Sequence, residues 1–275
     1  MQIQMVVFSE PKSGYEAAEW QDCACGGVIS DPNGPVSRAR FIVLDGAAGA
    51  YDPVRWVDQL VTSFIPAPGP HGPPAGPRLD PTSMRDWFAA MQDRWTAARP
   101  AFDNVIEERK WAETGSFATL LGFEISGLDG PEPYWQAVAL GDTVLFHVRA
   151  DRLLATFPPL GPDDFGTRPD GVHTKRSSLD QMTERLELSS GVLAPADFLF
   201  AATDAMAHWI LRAIRREEQK VWRTLAGFAH PDVFTRFVSD QRKEIDIAKR
   251  LKNDDVTLMR LRIAADQPSF LLACR

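Results

Sequence analysis

Short apolar runs near the start of the chain predict β-strands. Ile3–Phe8, Asp22–Ile29 and Arg40–Leu44 have the length and apolar content typical of strands. The second and third runs are separated by Asp31–Gly34, whose Asp, Pro, Asn and Gly residues favour a turn. The chain is therefore predicted to open with antiparallel strands.

Two helices are predicted next. Asp52 is followed by Pro53, an N-cap residue with proline at the first helical position, and apolar residues then recur at helical spacing. The second helix is predicted to begin at Ser83, with Asp86 three residues later as in a capping box. Its apolar stripe consists of Met84, Trp87, Phe88, Met91 and Trp95. Between the helices, Ile65–Pro81 holds seven prolines and three glycines and is predicted to be a loop.

The second half of the chain returns to strands, then helices, then strands. A further loop is predicted at Pro158–Lys175, and helices through Arg212–Lys220 and near Val233–Leu251. The strands are predicted at Phe117–Ile125, Trp135–Leu140, Thr143–Val148, Leu153–Phe157, Phe198–Thr203, Val256–Ile263 and Phe270–Ala273. This order predicts α+β layers, and without a repeat or a shift in composition we expect one domain over residues 1–275.

Composition narrows the function classes. Hydrophobic residues make up 44% and charged residues 24%, as in ordinary globular proteins, and a net charge of −7 argues against a nucleic-acid partner. No apolar run approaches the ~18 residues of a membrane span, and three cysteines cannot form a disulfide framework. We therefore expect a cytoplasmic protein without a membrane partner. Cys23 and Cys25 are interpreted as small packing residues, with a redox-sensitive site as the alternative.

Four aspartates stand at the ends of predicted buried strands. Carboxylates are unexpected there unless they are paired, exposed or bound to a metal. The residues are Asp22, Asp45, Asp204 and Asp254. Hard oxygen ligands without nearby histidine or cysteine select Mg²⁺ or Mn²⁺, and two such ions can share a nucleophilic water. The alternative is that each aspartate caps a helix or turn, as Asp204 would before Ala205.

The order of these aspartates and their neighbours resembles the metal-dependent type 2C (PPM-type) serine/threonine protein phosphatases. The resemblance covers nearly the whole chain, from about Gly14 to Ile263. Its pieces are the acidic pair Gln21-Asp22, the Asp-Gly-x-Gly-Gly-like Asp45–Gly49, the small-residue strand opening Gly115–Thr119, the Gly-Asp-Ser-like Gly141–Thr143, the Ser-Asp-Gly-like Thr203–Ala205 and the Asp-Asn-Ile-Thr-like Asp254–Thr257.

The resemblance implies a four-layer α/β/β/α sandwich, in which two packed antiparallel sheets are flanked by helices. It implies metal-ligand roles for Asp22, Asp45, Asp204 and Asp254, and for the backbone carbonyl of Gly46. Asp142 would be a weaker ligand of a third ion. The implied activity is hydrolysis of phosphoserine or phosphothreonine through a metal-bridging hydroxide, with Asp45, Asp204 and Asp254 as catalytic residues.

Several positions depart from the family pattern. The segment Gly14–Trp20 lacks the arginine that usually binds the substrate phosphate, so Lys12, Arg38 and Arg40 become the candidates. Gln21, Ala48 and Ala205 replace an acid and two glycines, and Ala47 stands where some relatives carry histidine.

Two hypotheses follow from these departures. The first is an active phosphatase acting on a phosphorylated protein. The second is a weak or inactive phosphatase-like module that binds a partner, such as a cognate kinase or its target. Zinc and serine hydrolases are not indicated, because neither His-Glu-x-x-His nor Gly-x-Ser-x-Gly occurs.

Overall fold

The structure, a computed structural model, describes residues 1–15, 20–29, 38–65, 76–166, 169–265 and 269–273. The strands are β1 (Gln2–Glu10), β2 (Asp22–Ile29), β3 (Arg38–Gly46), β4 (Phe117–Ser126), β5 (Tyr134–Leu140), β6 (Val144–Arg149), β7 (Arg152–Phe157), β8 (Val172–His173), β9 (Glu187–Val192), β10 (Phe198–Ala202), β11 (Val256–Ala264) and β12 (Ser269–Ala273). The helices are α1 (Pro53–Phe64), α2 (Pro81–Ala97), α3 (Val105–Arg109), α4 (Leu179–Glu184), α5 (Asp204–Ala226) and α6 (Pro231–Arg242). A π-helical turn, Lys110–Thr114, continues α3, and a 3-10 turn, Arg176–Ser178, precedes α4.

These strands form two sheets. In sheet I the order is β12-β1-β11-β10-β6-β7, and in sheet II it is β2-β3-β4-β5-β9, with the short β8 paired to the start of β4. Neighbouring strands are antiparallel, except that β1 and β12 run parallel. The predicted turn at Asp31–Gly34 and most of the predicted loop Ile65–Pro81 lie outside the described residues.

The two sheets pack face to face through a layer of apolar side chains. Phe41 and Val43 of β3 point into this layer, where Phe41 stacks on Phe123 of β4 with ring centroids 5.0 Å apart. The intervening Ile42 and Leu44 point to the opposite face and are also buried. Burial on both faces explains why the sequence of β3 is continuously hydrophobic rather than alternating.

Helices cover the outer face of each sheet. α1, α2 and α4 pack on sheet II, and α5 and α6 pack on sheet I, where Trp222 of α5 stacks on Phe200 of β10. Cys23 and Cys25 pack against the sheet II cluster. The predicted fold class, an α/β/β/α sandwich of two sheets flanked by helices, is confirmed. Within the described residues, no helix is long and apolar enough to cross a membrane.

The start of α2 differs from its prediction. Asp80, not Ser83, is the N-cap, and its carboxylate accepts hydrogen bonds from the backbone N–H of Ser83 at 2.9 Å and from the Ser83 hydroxyl at 2.9 Å. Pro81 then occupies the first helical turn, where its missing N–H costs nothing. The prediction of a cap at Ser83 was therefore wrong, because Ser83 donates to the cap.

The helix predicted near Val233–Leu251 ends early, at Arg242. The backbone N–H of Leu251 donates to the carbonyl of Gln241 at 3.1 Å, so the chain folds back at the end of α6 instead of extending it. The side chain of Arg242 also donates to the carbonyl of Asp254 at 2.5 Å. These bonds shape residues 243–255 into a non-helical segment that brings Asp254 to the start of β11.

A buried polar network joins the two sheets. The indole N–H of Trp135 on β5 donates to Nδ1 of His147 on β6 at 3.2 Å, and Nε2 of His147 lies 2.8 Å from Oδ2 of Asp197. Asp197 is fully buried, and Arg149 binds both of its oxygens at 2.7 and 2.8 Å. Burial alone would raise the pKa of Asp197, but hydrogen bonds from Arg149, His147 and the Ala194 N–H outweigh it and lower the pKa to about 2.

Candidate metal centre

Asp22 and Asp45 are brought together by the pairing of β2 with β3, in which they stand opposite each other. The next residue, Gly46, lies close to the backbone of Gln21. Its N–H donates to the carbonyl of Gln21 at 3.2 Å, and a Cβ atom at this position would lie 2.8 Å from that oxygen. Glycine is therefore required at Gly46 for this close approach.

Asp22 is buried and connects the two sheets. Its Oδ2 accepts a 2.8 Å hydrogen bond from the hydroxyl of Thr203, the residue after β10. Thr203 in turn accepts from the backbone N–H of Thr257 at 3.0 Å. Burial, followed by repulsion from Asp255 and Asp204, raises the pKa of Asp22 to about 8 against the lowering effect of the Thr203 hydroxyl.

Asp204 and Asp254 lie beside strands of sheet I and share one cation. Asp204 is the first residue of α5, and Asp254 lies in the segment before β11. The ammonium of Lys252 lies 2.8 Å from Oδ2 of Asp204 and 2.8 Å from Oδ2 of Asp254. Burial alone would lower the pKa of Lys252, but Asp204 and Asp254 outweigh it and raise the pKa. Sequence reasoning did not single out Lys252, although it stands only two residues before Asp254.

Asp142 lies in the turn between β5 and β6 and is 5% exposed. Among the side chains that the structure describes, its Oδ1 atom is buried without a hydrogen-bond partner. Burial, followed by repulsion from Asp204, raises the pKa of Asp142 to about 7. An orphaned buried carboxylate oxygen is costly unless a ligand, ion or water satisfies it.

Asp45 lies among these carboxylates. Its pKa is raised well above the usual range by burial and then by repulsion from Asp22, Asp204, Asp142 and Asp254. Bringing several carboxylates together in a partly buried space is unfavourable without a compensating cation. The clustered carboxylates therefore favour the binding of a cation.

Asp45, Asp142, Asp204 and Asp254 line one cleft with a volume of about 640 Å³. Gly46 also lines it, whereas Asp22 is not on the wall. Besides Lys252, the described wall carries the cation Arg185, whose guanidinium bonds to Asp170 on the rim.

The three residues predicted to bind the substrate phosphate do not all lie near the cleft. Arg38 and Arg40 belong to the far end of β3 and pair with Glu124 at 3.6 and 2.8 Å, and neither lines the cleft. Arg40 and Asp45 are five positions apart along the strand, or about 17 Å. Lys12 is nearer, with its ammonium 3.9 Å from Oδ1 of Asp254. Of the three residues predicted to bind the substrate phosphate, only Lys12 therefore lies near the candidate metal ligands. The structure adds Lys252 and Arg185 as further cations close to them.

The donor set fits a hard divalent cation in its chemistry. It consists of carboxylates and a backbone carbonyl, the ligands that Mg²⁺ and Mn²⁺ prefer, and the orphaned Oδ1 of Asp142 offers an unused position. Within the described residues, no group of three or more Asp, Glu, His or Cys side chains is already arranged to hold one metal ion.

Comparison with known proteins identifies the fold. No protein-family model and no curated protein sequence matches the chain. Solved structures do match, among them a serine/threonine phosphatase of S. agalactiae (TM-score 0.57, 12% identity, 95% of this chain and 99% of that one). A bacterial serine phosphatase matches with a TM-score of 0.56 at 13% identity, over 96% of this chain and 98% of that one. The catalytic domain of the phosphatase PstP, solved in complex with 2 manganese ions, matches with a TM-score of 0.51 at 13% identity, over 95% and 98%.

These likenesses extend over nearly the full length of both chains. The resemblance predicted from the motifs is confirmed at the level of the fold, which is that of the type 2C serine/threonine phosphatases.

Proposed function

We propose that this chain is a Mg²⁺- or Mn²⁺-dependent phosphoprotein phosphatase acting on phosphoserine or phosphothreonine. The observation that carries the proposal is the meeting of Asp45, Asp142, Asp204 and Asp254 in one cleft of a type 2C phosphatase fold. The four residues come from distant segments of the chain, and capping of local turns does not require them to meet. The two manganese ions of the structurally similar PstP support the choice of ion.

In this proposal Asp45, Asp204 and Asp254 hold the metal ions, together with the carbonyl of Gly46. Asp142 contributes its unpartnered oxygen to a third, weaker position. Asp22 stands opposite Asp45 in the pairing of β2 with β3, and the hydrogen bond from Thr203 holds it there as the further candidate ligand. Divalent ions held by these residues would neutralise the phosphoryl oxygens and make water acidic enough to serve as the nucleophile.

The remaining groups position the substrate. Arg185 and Lys252 on the described wall, with Lys12 beside Asp254, are the cations available to a phosphate dianion entering the cleft. Ala47 carries no group that can donate a proton, so the leaving alkoxide would take its proton from water or from another residue of the cleft. The rate is expected to depend strongly on how acidic the leaving group is.

The test is hydrolysis of p-nitrophenyl phosphate with and without Mn²⁺. We expect turnover that requires the metal and that Asp45→Asn lowers by about 100-fold or more, because metal stabilisation of the transition state contributes several kcal/mol. Asp58→Asn, which removes an exposed carboxylate of α1, is the matched control and should leave the rate unchanged. If the metal-dependent turnover of the wild-type chain is no higher than that of Asp45→Asn, the proposed phosphatase activity is refuted.

A phosphatase-like binding module is the second candidate. Two observations favour it: Lys252 holds Asp204 and Asp254, and the segment before Gln21 lacks the usual arginine. In that case the wild-type chain and Asp45→Asn should both bind a phosphoserine peptide, kinase or kinase target with the same affinity and without turnover. A clear difference in affinity between the two proteins would count against this candidate.

A further inference from the structure

Lys252 is held in the cleft by anchors on both sides of it. On one side, Leu251 is buried and bonded to the carbonyl of Gln241, and the Arg212 guanidinium donates to the carbonyl of Arg250 at 2.6 Å. On the other side, Oδ1 of Asn253 accepts from the backbone N–H of Ser13 at 2.9 Å. These bonds fix the backbone around Lys252. Its ammonium therefore loses little conformational entropy when it binds Asp204 and Asp254.

The contact engages the oxygens that a metal ion would need. Oδ2 of Asp204 and Oδ2 of Asp254 both bond to Lys252, and Oδ1 of Asp204 accepts the N–H of Ala205 at 2.5 Å. The side chain of Asp204 is 17% exposed and that of Asp254 is 34% exposed, so the pair lies in a partly desolvated place. A charge-assisted pair in such a place is stronger than one at the open surface.

At Asp142 and Asp45, no cation forms an ion pair within the described part of the chain. There, Oδ1 of Asp142 is buried without a partner among the described residues. Arg185, the other cation of the described wall, is engaged by Asp170 on the rim. The carboxylates of the cleft therefore differ in their direct partners: Lys252 bonds to Asp204 and Asp254, whereas Asp142 and Asp45 form no ion pair among the described residues.

We propose that Lys252 is a built-in cation that occupies the position between Asp204 and Asp254, so that one divalent ion binds first beside Asp45 and a second must displace the ammonium. The inference rests on the proposed metal site and adds a regulatory feature to it. The second ion binds weakly for two reasons: two ligand oxygens must be released from Lys252, and the displaced positive charge stays nearby. Metal occupancy, and with it activity, is then set by the metal concentration.

The test compares Lys252→Gln with the wild-type chain by calorimetric titration of Mn²⁺. Glutamine keeps most of the side-chain length and removes the charge. We expect Lys252→Gln to bind Mn²⁺ with one additional site, or about tenfold or more tightly at the weaker site. Lys249→Gln is the matched control, because Lys249 belongs to the same segment but pairs only with the exposed Asp246 at 3.1 Å. It should titrate like the wild-type chain.

Thermal unfolding in EDTA gives a second measurement. Without metal, Lys252→Gln should melt at a lower temperature than Lys249→Gln, and added Mn²⁺ should raise its melting temperature more than that of the wild-type chain.

The outcomes separate this inference from the proposed function. If the wild-type chain binds Mn²⁺ and Lys252→Gln binds no more ions and no more tightly, Lys252 does not compete and the inference alone is overturned. If only Lys252→Gln binds Mn²⁺, Lys252 competes with the metal but the proposed order of binding is overturned, and the native chain is the binding module rather than the enzyme. If neither protein binds Mn²⁺, the metal site and the inference fail together, whatever the melting temperatures.

Discussion

Replacing Asp197 tests the buried network that joins the two sheets. Asp197→Asn keeps the size of the side chain but removes the charge that receives Arg149 and His147. Asp197 is fully buried and accepts from Arg149 through both oxygens, from His147 at 2.8 Å and from the Ala194 N–H at 2.8 Å. The substitution weakens these hydrogen bonds and leaves the positive charge of Arg149 without its partner.

The pKa of Asp197 sets the size of the effect. A shift from the ordinary value near 3.8 to about 2 corresponds to about 2 kcal/mol of stability at neutral pH. Because the pKa is lower in the folded state, the unfolded chain takes up the proton first as the pH falls. The stabilisation is thus fully present above about pH 4 and is lost as the pH falls towards about 2, with roughly half remaining near pH 3.

The assay is urea unfolding followed by tryptophan fluorescence at several pH values. Near pH 7 we expect Asp197→Asn to lower the free energy of unfolding by about 2 kcal/mol, and Asp197→Ala by about 3 to 5 kcal/mol because it leaves buried donors unpaired. Asp93→Asn is the control, since Asp93 pairs with Arg176 at the exposed surface. If Asp197→Asn costs no more than this control, or if its cost stays constant as the pH falls from 5 to 3, the network does not stabilise the fold as described.

Two further substitutions test the helix start and the rim of the cleft. Asp80→Ala should lower the free energy of unfolding by about 1 kcal/mol because it removes the N-cap of α2. Ser83→Ala should lower it less, because the backbone N–H that binds the cap remains. Equal losses of stability in urea unfolding would contradict the assignment of Asp80 as the cap. Arg185→Gln should raise the KM for a phosphoserine peptide by roughly tenfold with little change in kcat. This is the result expected for a cation that binds the phosphate equally in the ground and transition states. A selective loss of kcat in steady-state assays would argue against that role.

The sequence alone predicted most of the strands and helices, because their signals are local. Phe41–Leu44 is hydrophobic because β3 is buried on both faces, and Asp52-Pro53 marks the start of α1. The order of the strand-terminal aspartates indicated the fold as well. Elements without an apolar pattern were missed: β9, with the sequence ELSSGV, is a largely exposed strand at one end of sheet II, and α4 has only six residues.

The charge partners within the cleft were decided by the tertiary structure. Arg38 and Arg40 stand close to Asp45 in sequence, but a strand advances about 3.3 Å per residue, and this carries them away from the cleft to Glu124. Lys252 meets Asp204, 48 residues away, because α6 ends at Arg242 and the chain folds back over the start of α5. Local periodicity specifies which residues face the core. The partner that neutralises each buried charge depends on how distant segments pack, and no local pattern records that packing.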